Sequence, residues 1–98
     1  MRHSVYYHPD AESEMNEAAE FLNHESPGLG LAFLSAVEGA VDQIQSCPEA
    51  APLIGSRVRR KLVLKFPYTV VYSVRKMQIR ILAVAHQKRR PYYWRSRR

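Results

Sequence analysis

An α+β fold, with a two-helix hairpin on one face of a mainly antiparallel sheet, is what this chain predicts. Three observations carry that reading. Apolar residues recur at helical spacing in two stretches before residue 48, strand-type runs follow residue 57, and the charge changes sign between the two halves. The implied order is β-α-α-β-β-β. At 98 residues the chain has room for one modest core, so residues 1–98 read as a single domain, with 87–98 as a basic aromatic C-terminal tail.

The elements follow in order. His3-Ser-Val-Tyr-Tyr-His8 is a short β-prone run ended by Pro9. Pro9 and Asp10 suit a helix start, because proline fits the first helical position and acids favour the positive end of the dipole. Ala11, Met15, Ala18 and Leu22 then form an apolar stripe, with Glu12, Glu14, Glu17 and Glu20 assigned to the remaining surface. Ser26-Pro27 repeats the start signal, serine as cap and proline as first residue. Leu29, Phe33, Val37, Ala40, Val41 and Ile44 mark the second helix, which should stop before Pro48. The periodicity gives the helices roughly 16 and 20 residues. Gly28, Gly30 and Gly39 lower helix propensity while permitting close packing. They are not a phosphate loop, since no lysine follows and no strand precedes.

Pro48–Ser56 reads as a loop. Arg59–Phe66 alternates, with Arg60, Leu62, Leu64 and Phe66 on one face and Arg59, Lys61, Val63 and Lys65 on the other. Tyr68–Val74 resumes as a strand after Pro67, residues 75–78 form a turn, and Ile79–Ala85 has the near-continuous apolar character of an interior strand. Short connections between these runs argue for a meander.

Composition removes several function classes. No apolar run approaches the ~20 residues of a membrane span, and the N-terminus lacks the apolar core of a secretory signal. The single cysteine, Cys47, reads as a buried thiol in a reducing cytoplasm. No Cys/His cluster suggests zinc, and no metal or other cofactor is expected. All nine acids lie between Asp10 and Glu49, and fourteen of the fifteen bases lie between Arg57 and Arg98. Residues 1–49 thus carry −8 and residues 50–98 carry +14, which points to a polyanionic or acidic partner for the second half.

The densest polar constellation is His86, Lys88, Arg89, Arg90, Tyr92, Tyr93, Trp94 and Arg95. If the last strand reaches residue 86, period two puts His86 on the face of Arg80. Chemically this set suits RNA binding and cleavage. Arginines clamp phosphate, an imidazole moves a proton near neutral pH, and aromatic rings stack on unpaired bases. Each has an ordinary alternative: a hydrogen-bonded histidine at a strand end, aromatic rings folded back to cap the core, a solvated terminal run. Arg59, Arg60, Lys61 and Lys65 serve equally as edge protection.

The segments HPDAESEMNEAAEFL, ESPGLGLAFLSAVEGAVDQI, CPEAAPLIG, VRRKLVLKFPYTVVYSV and IRILAVAHQKRRPYYW, in that order, resemble the RelE/ParE superfamily of toxins from type II toxin–antitoxin modules, often called plasmid stabilisation proteins. The resemblance spans roughly residues 3–94 and agrees with the order of elements read above. It implies a cytoplasmic growth inhibitor neutralised by a cognate antitoxin. The bound antitoxin segment should be acidic and disordered until bound, and should meet Arg59–Lys65 and Arg89–Arg98.

The superfamily divides on target. RelE-like members cleave messenger RNA on the ribosome without metal, and ParE-like members poison DNA gyrase without chemistry. For the first branch the resemblance implies His86, Arg89 and Tyr92 or Tyr93 as catalytic residues. Arg59, Lys61, Lys65, Arg80, Lys88, Arg90, Trp94 and Arg95 would be RNA or target contacts. Two long helices resemble the second branch. A degenerate homologue that only binds antitoxin is a third reading.

Overall fold

A computed structural model describes residues 3–97; Met1, Arg2 and Arg98, the last residue of the basic tail, lie outside them. Strand β1 (Ser4–Tyr7) leads into helix α1 (Pro9–Glu25), which the short Ser26–Gly28 connection joins to helix α2 (Leu29–Ser46). Four strands follow: β2 (Leu53–Gly55), β3 (Val58–Leu62), β4 (Tyr68–Arg75) and β5 (Gln78–His86). The sheet order is β1-β5-β4-β3-β2, with β1 parallel to β5 and every other pair antiparallel. This is the α+β fold read from the sequence, with helices of 17 and 18 residues and one further strand. No helix is long and apolar enough to cross a membrane among the described residues.

The helices pack on one sheet face. Ala11, Ala18 and Ala19 of α1 meet Phe33, Val37, Ala40, Val41 and Ile44 of α2 over Val70, Tyr72, Ile79, Ile81 and Val84 of the sheet. Phe33 is the pivot, with its ring 5.3 Å from Phe66 and 4.8 Å from Tyr68 in edge and tilted geometry. Helix α1 starts at Pro9 as expected, and the Nδ1 of His8 supplies the cap by accepting the Asp10 N–H.

Several local expectations give way to packing. Ser26 and Pro27 do not start α2. Ser26 ends α1, Gly28 occupies the cap of α2 at φ 92°, and the Oδ1 of Asn23 accepts the Gly28 and Gly30 N–H groups. The strand expected over residues 59–66 ends at Leu62, because the chain turns through Lys65 at φ 71° and Val63 pairs by its N–H with the Tyr68 carbonyl. Lys65 and Leu64 are therefore exposed turn residues. The loop 48–56 contains β2, too short and too broken by Pro52 and Gly55 to show a period. Cys47 is exposed and not buried, since it lies just past the end of α2.

The second sheet face carries the tail. Trp94 is 4% exposed and packs with Val58, Val71, Leu82 and Ala83, forming a second small core. A β-bulge in β5 makes this possible. Val71 pairs with Ala83 while Tyr72 pairs with Ile81, so Leu82 is the extra residue and both Leu82 and Ala83 join the tail-side cluster.

Candidate functional site

Beyond the bulge the side-chain parity of β5 is reversed, so Arg80 and His86 do not share a face. Arg80 lies on the tail side, whereas His86 packs edge-on against Tyr68 of the helix-side core at 5.1 Å. The His86 Nδ1 accepts the Lys88 N–H at 3.0 Å, and the His86 carbonyl accepts the Arg89 N–H at 2.9 Å. These bonds shape the turn that sends residues 87–97 back over the sheet. They also place the proton of the neutral imidazole on Nε2.

The returning tail and the open face enclose a cleft of about 410 Å³. Its floor is Thr69, Val71 and Ala85, one wall is Ile54, Arg60 and Leu62, and the other runs from His86 to Trp94. Of the residues singled out in the sequence, this cleft gathers His86, Arg89, Arg90, Tyr92, Tyr93 and Trp94. Tyr92, at φ 61°, is 47% exposed, and the exposed Arg95 guanidinium sits 5.8 Å from its ring centre. Lys88 is exposed in the turn beside the cleft.

Four of the singled-out cations stand elsewhere. Arg59 and Lys61 pair with Tyr72 and Val70 and so project to the helix side. Arg59 is held there, its Nη1 donating to the Glu49 and Ala51 carbonyls. Lys65 sits in the β3–β4 turn, and Arg80 is six residues before His86 on β5, about 20 Å away along a strand. Arg60, paired with Val71, is the β3 cation that faces the cleft.

One corner of the cleft is built on α1. Arg89 lies 4.0 Å over the Tyr93 ring and Arg97 lies 5.0 Å from it, so two guanidiniums share one aromatic ring. Glu14 unites them. Its Oε2 is 3.0 Å from Arg97 Nη2 and 4.0 Å from Arg89 Nη1, and its Oε1 accepts the Val84 N–H. The Tyr93 hydroxyl is buried beside the Glu14 carboxylate, its best potential acceptor, but outside good hydrogen-bond geometry. Burial, reinforced by the neighbouring Glu14 carboxylate, pushes its pKa well above the ordinary tyrosine value. A phenol so placed is a poor proton donor or acceptor near neutral pH.

Glu14, Arg97 and Arg60 are the members that the sequence reading left out of the site. Glu14 had a signal. It lies three residues after Ala11 and four before Ala18, within the buried stripe of α1, and a carboxylate there needs a partner.

Fold and site together define a small α+β scaffold: a helical hairpin on a mainly antiparallel sheet with a basic tail folded over the free face. A family model for the ParE toxin of type II toxin–antitoxin systems (parDE) matches residues 5–91, and the chain belongs to that family. Among solved structures it is similar to a chain of the chromosomal ParDE toxin–antitoxin system from P. aeruginosa. The TM-score is 0.76 at 16% identity, over 86% of this chain and 95% of that one. No significant match was found among curated proteins.

Proposed function

We propose that this ParE-family chain inhibits growth by binding DNA gyrase without chemistry, and that a cognate antitoxin neutralises it. The antitoxin segment that binds is acidic and orders on binding. The observation that carries the non-enzymatic reading is the commitment of the polar groups a nuclease would need. Arg89 and Arg97 lie against Tyr93 above Glu14, the Tyr93 hydroxyl is buried with a raised pKa, and His86 Nδ1 is occupied by a backbone N–H. These contacts build a rigid basic surface suited to holding a protein target.

The test is induction in cells with DNA breaks and transcripts followed together. Gyrase inhibition predicts DNA breaks with intact messenger RNA, and His86→Ala should remain fully toxic. Transcripts cut on the ribosome while gyrase supercoils normally would overturn it. That second reading, metal-independent messenger RNA cleavage, draws support from one feature: His86, Arg89, Arg90 and Tyr92 open on a single cleft large enough for a nucleotide.

A further inference from the structure

The far end of the open face holds a second, unrelated cluster. One row across the sheet runs Tyr6, Arg80, Ser73, Val58, each paired with the next in register. Arg80 and Ser73 border a pocket of about 160 Å³ that Ser56, Arg57 and Arg75 complete from the β2–β3 turn and the end of β4. Three arginines and two serines thus border one small concavity, with Val58 and Val74 between them. No carboxylate is near in sequence to balance them, since residues 50–98 contain no Asp or Glu.

Arg80 and Arg57 each carry an unusual feature. The Arg80 Nε is buried and has no hydrogen-bond partner, although a buried N–H donor left unpaired is costly. The Arg80 guanidinium lies 5.2 Å from the ring centre of Tyr6, an arrangement that holds the side chain without satisfying that donor. Arg57 adopts φ 63°, a left-handed conformation that strains a non-glycine residue at the pocket rim.

We infer that this pocket, formed by Arg57, Arg75, Arg80, Ser56 and Ser73, is a binding site for one phosphate group. Its arginines and serines come from the β2–β3 turn, β4 and β5, and side chains reaching in from three elements suit a tetrahedral acceptor with oxygens in several directions. Arginine is the side chain fitted to such multidentate contact. The site is distinct from the C-terminal cleft, shares no residue with it, and does not depend on which target that cleft serves.

The experiment is a backbone and arginine-Nε NMR titration of the full chain with inorganic phosphate at constant ionic strength. Saturable shifts at Arg57, Ser73 and Arg80 are expected. Arg80→Gln and, separately, the turn variant Arg57→Gln should each weaken binding about tenfold while the rest of the spectrum stays folded. Shifts centred on Arg89–Arg97, non-saturable shifts, or unchanged affinity in both folded variants would overturn the site. Two competitors identify the source of the phosphate. Displacement by an eight-residue oligothymidylate but not by adenosine monophosphate indicates a nucleic-acid backbone, and the reverse indicates a free nucleotide. Displacement by an acidic peptide as effective as by either would overturn the phosphate assignment.

Discussion

Arg97 and Glu14 meet at 3.0 Å, and together they finish the outer edge of β5 where a strand is missing. Strand β1 ends opposite Ile81, so beyond that point β5 has no neighbour on this side. The Arg97 Nη1 donates to the Leu82 carbonyl, and the Glu14 Oε1 accepts the Val84 N–H. A helix side chain and a tail side chain thereby satisfy the backbone groups that an edge leaves open, and their ion pair ties both to each other. The same contact anchors the tail over the cleft.

Removing Arg97 should therefore cost more than a surface ion pair. Both side chains are nearly buried, 13% and 14% exposed, so Arg97→Ala leaves a carboxylate and a carbonyl short of partners. A loss of about 2–3 kcal/mol is expected, read as a lower urea midpoint with unchanged slope. Glu14→Gln, which keeps an acceptor for Val84, should cost less than Glu14→Ala. Equal losses for the two would show that the backbone bond contributes nothing.

Tyr93→Phe should change stability by less than about 1 kcal/mol near pH 7, because the hydroxyl it removes is buried and makes no well-formed hydrogen bond to the adjacent Glu14 carboxylate. The alkaline limb should also change. Burial raises the Tyr93 pKa in the folded chain, so at high pH the unfolded chain releases its proton first. The stability that Tyr93 contributes is complete below its unfolded value, near 10, and is lost as pH rises toward the folded one. The variant should show a shallower fall in stability above about pH 10. An identical fall in both proteins would count against a buried phenol.

The residue patterns made both helices, their order and four of the five strands readable, β3 with its end misplaced, because those elements bury a regular face. Three features carried no such signal. The bulge at Leu82 is a one-residue register change that goes with packing against Trp94 from far along the chain, and it separated Arg80 from His86. The end of β3 rests on a turn with Lys65 at positive φ, which the alternating residues 59–66 conceal. Cys47 followed composition in being read as buried, while the end of α2 leaves it exposed. Within the site the basic and aromatic residues were legible as a cluster. Their division between two sheet faces was not, since it depends on which strand face the helices cover.

The helix hairpin offers a paired test of close packing. A Cβ on Gly30 would stand 2.6 Å from the Ala19 carbonyl oxygen and 3.1 Å from Asn23 Cβ, so Gly30→Ala must push the helices apart. A loss of about 1–3 kcal/mol is expected. Gly39 lies in the interior of the same helix with nothing within 4 Å of its Cβ position. Gly39→Ala should raise stability by about 0.5–1 kcal/mol through helix propensity alone. Thermal melts of the two variants should move in opposite directions.

Charge segregation sets an expectation for antitoxin capture. The helices hold most of the acids, while Arg60, Arg89, Arg90 and Arg95 stand exposed on or beside the cleft. An acidic segment approaching that side meets a field of one sign, which speeds encounter and is screened within a Debye length of ~10 Å at 0.1 M salt. Raising salt from roughly 0.05 to roughly 0.5 M should slow association by about tenfold or more, with a much smaller change in dissociation. Arg60→Glu, at an exposed strand position, should slow association in the same way and flatten its salt dependence. Stopped-flow mixing of toxin and antitoxin measures both rates. A salt-independent association rate would mean that capture is driven by the apolar contacts alone and that the basic side serves only the target.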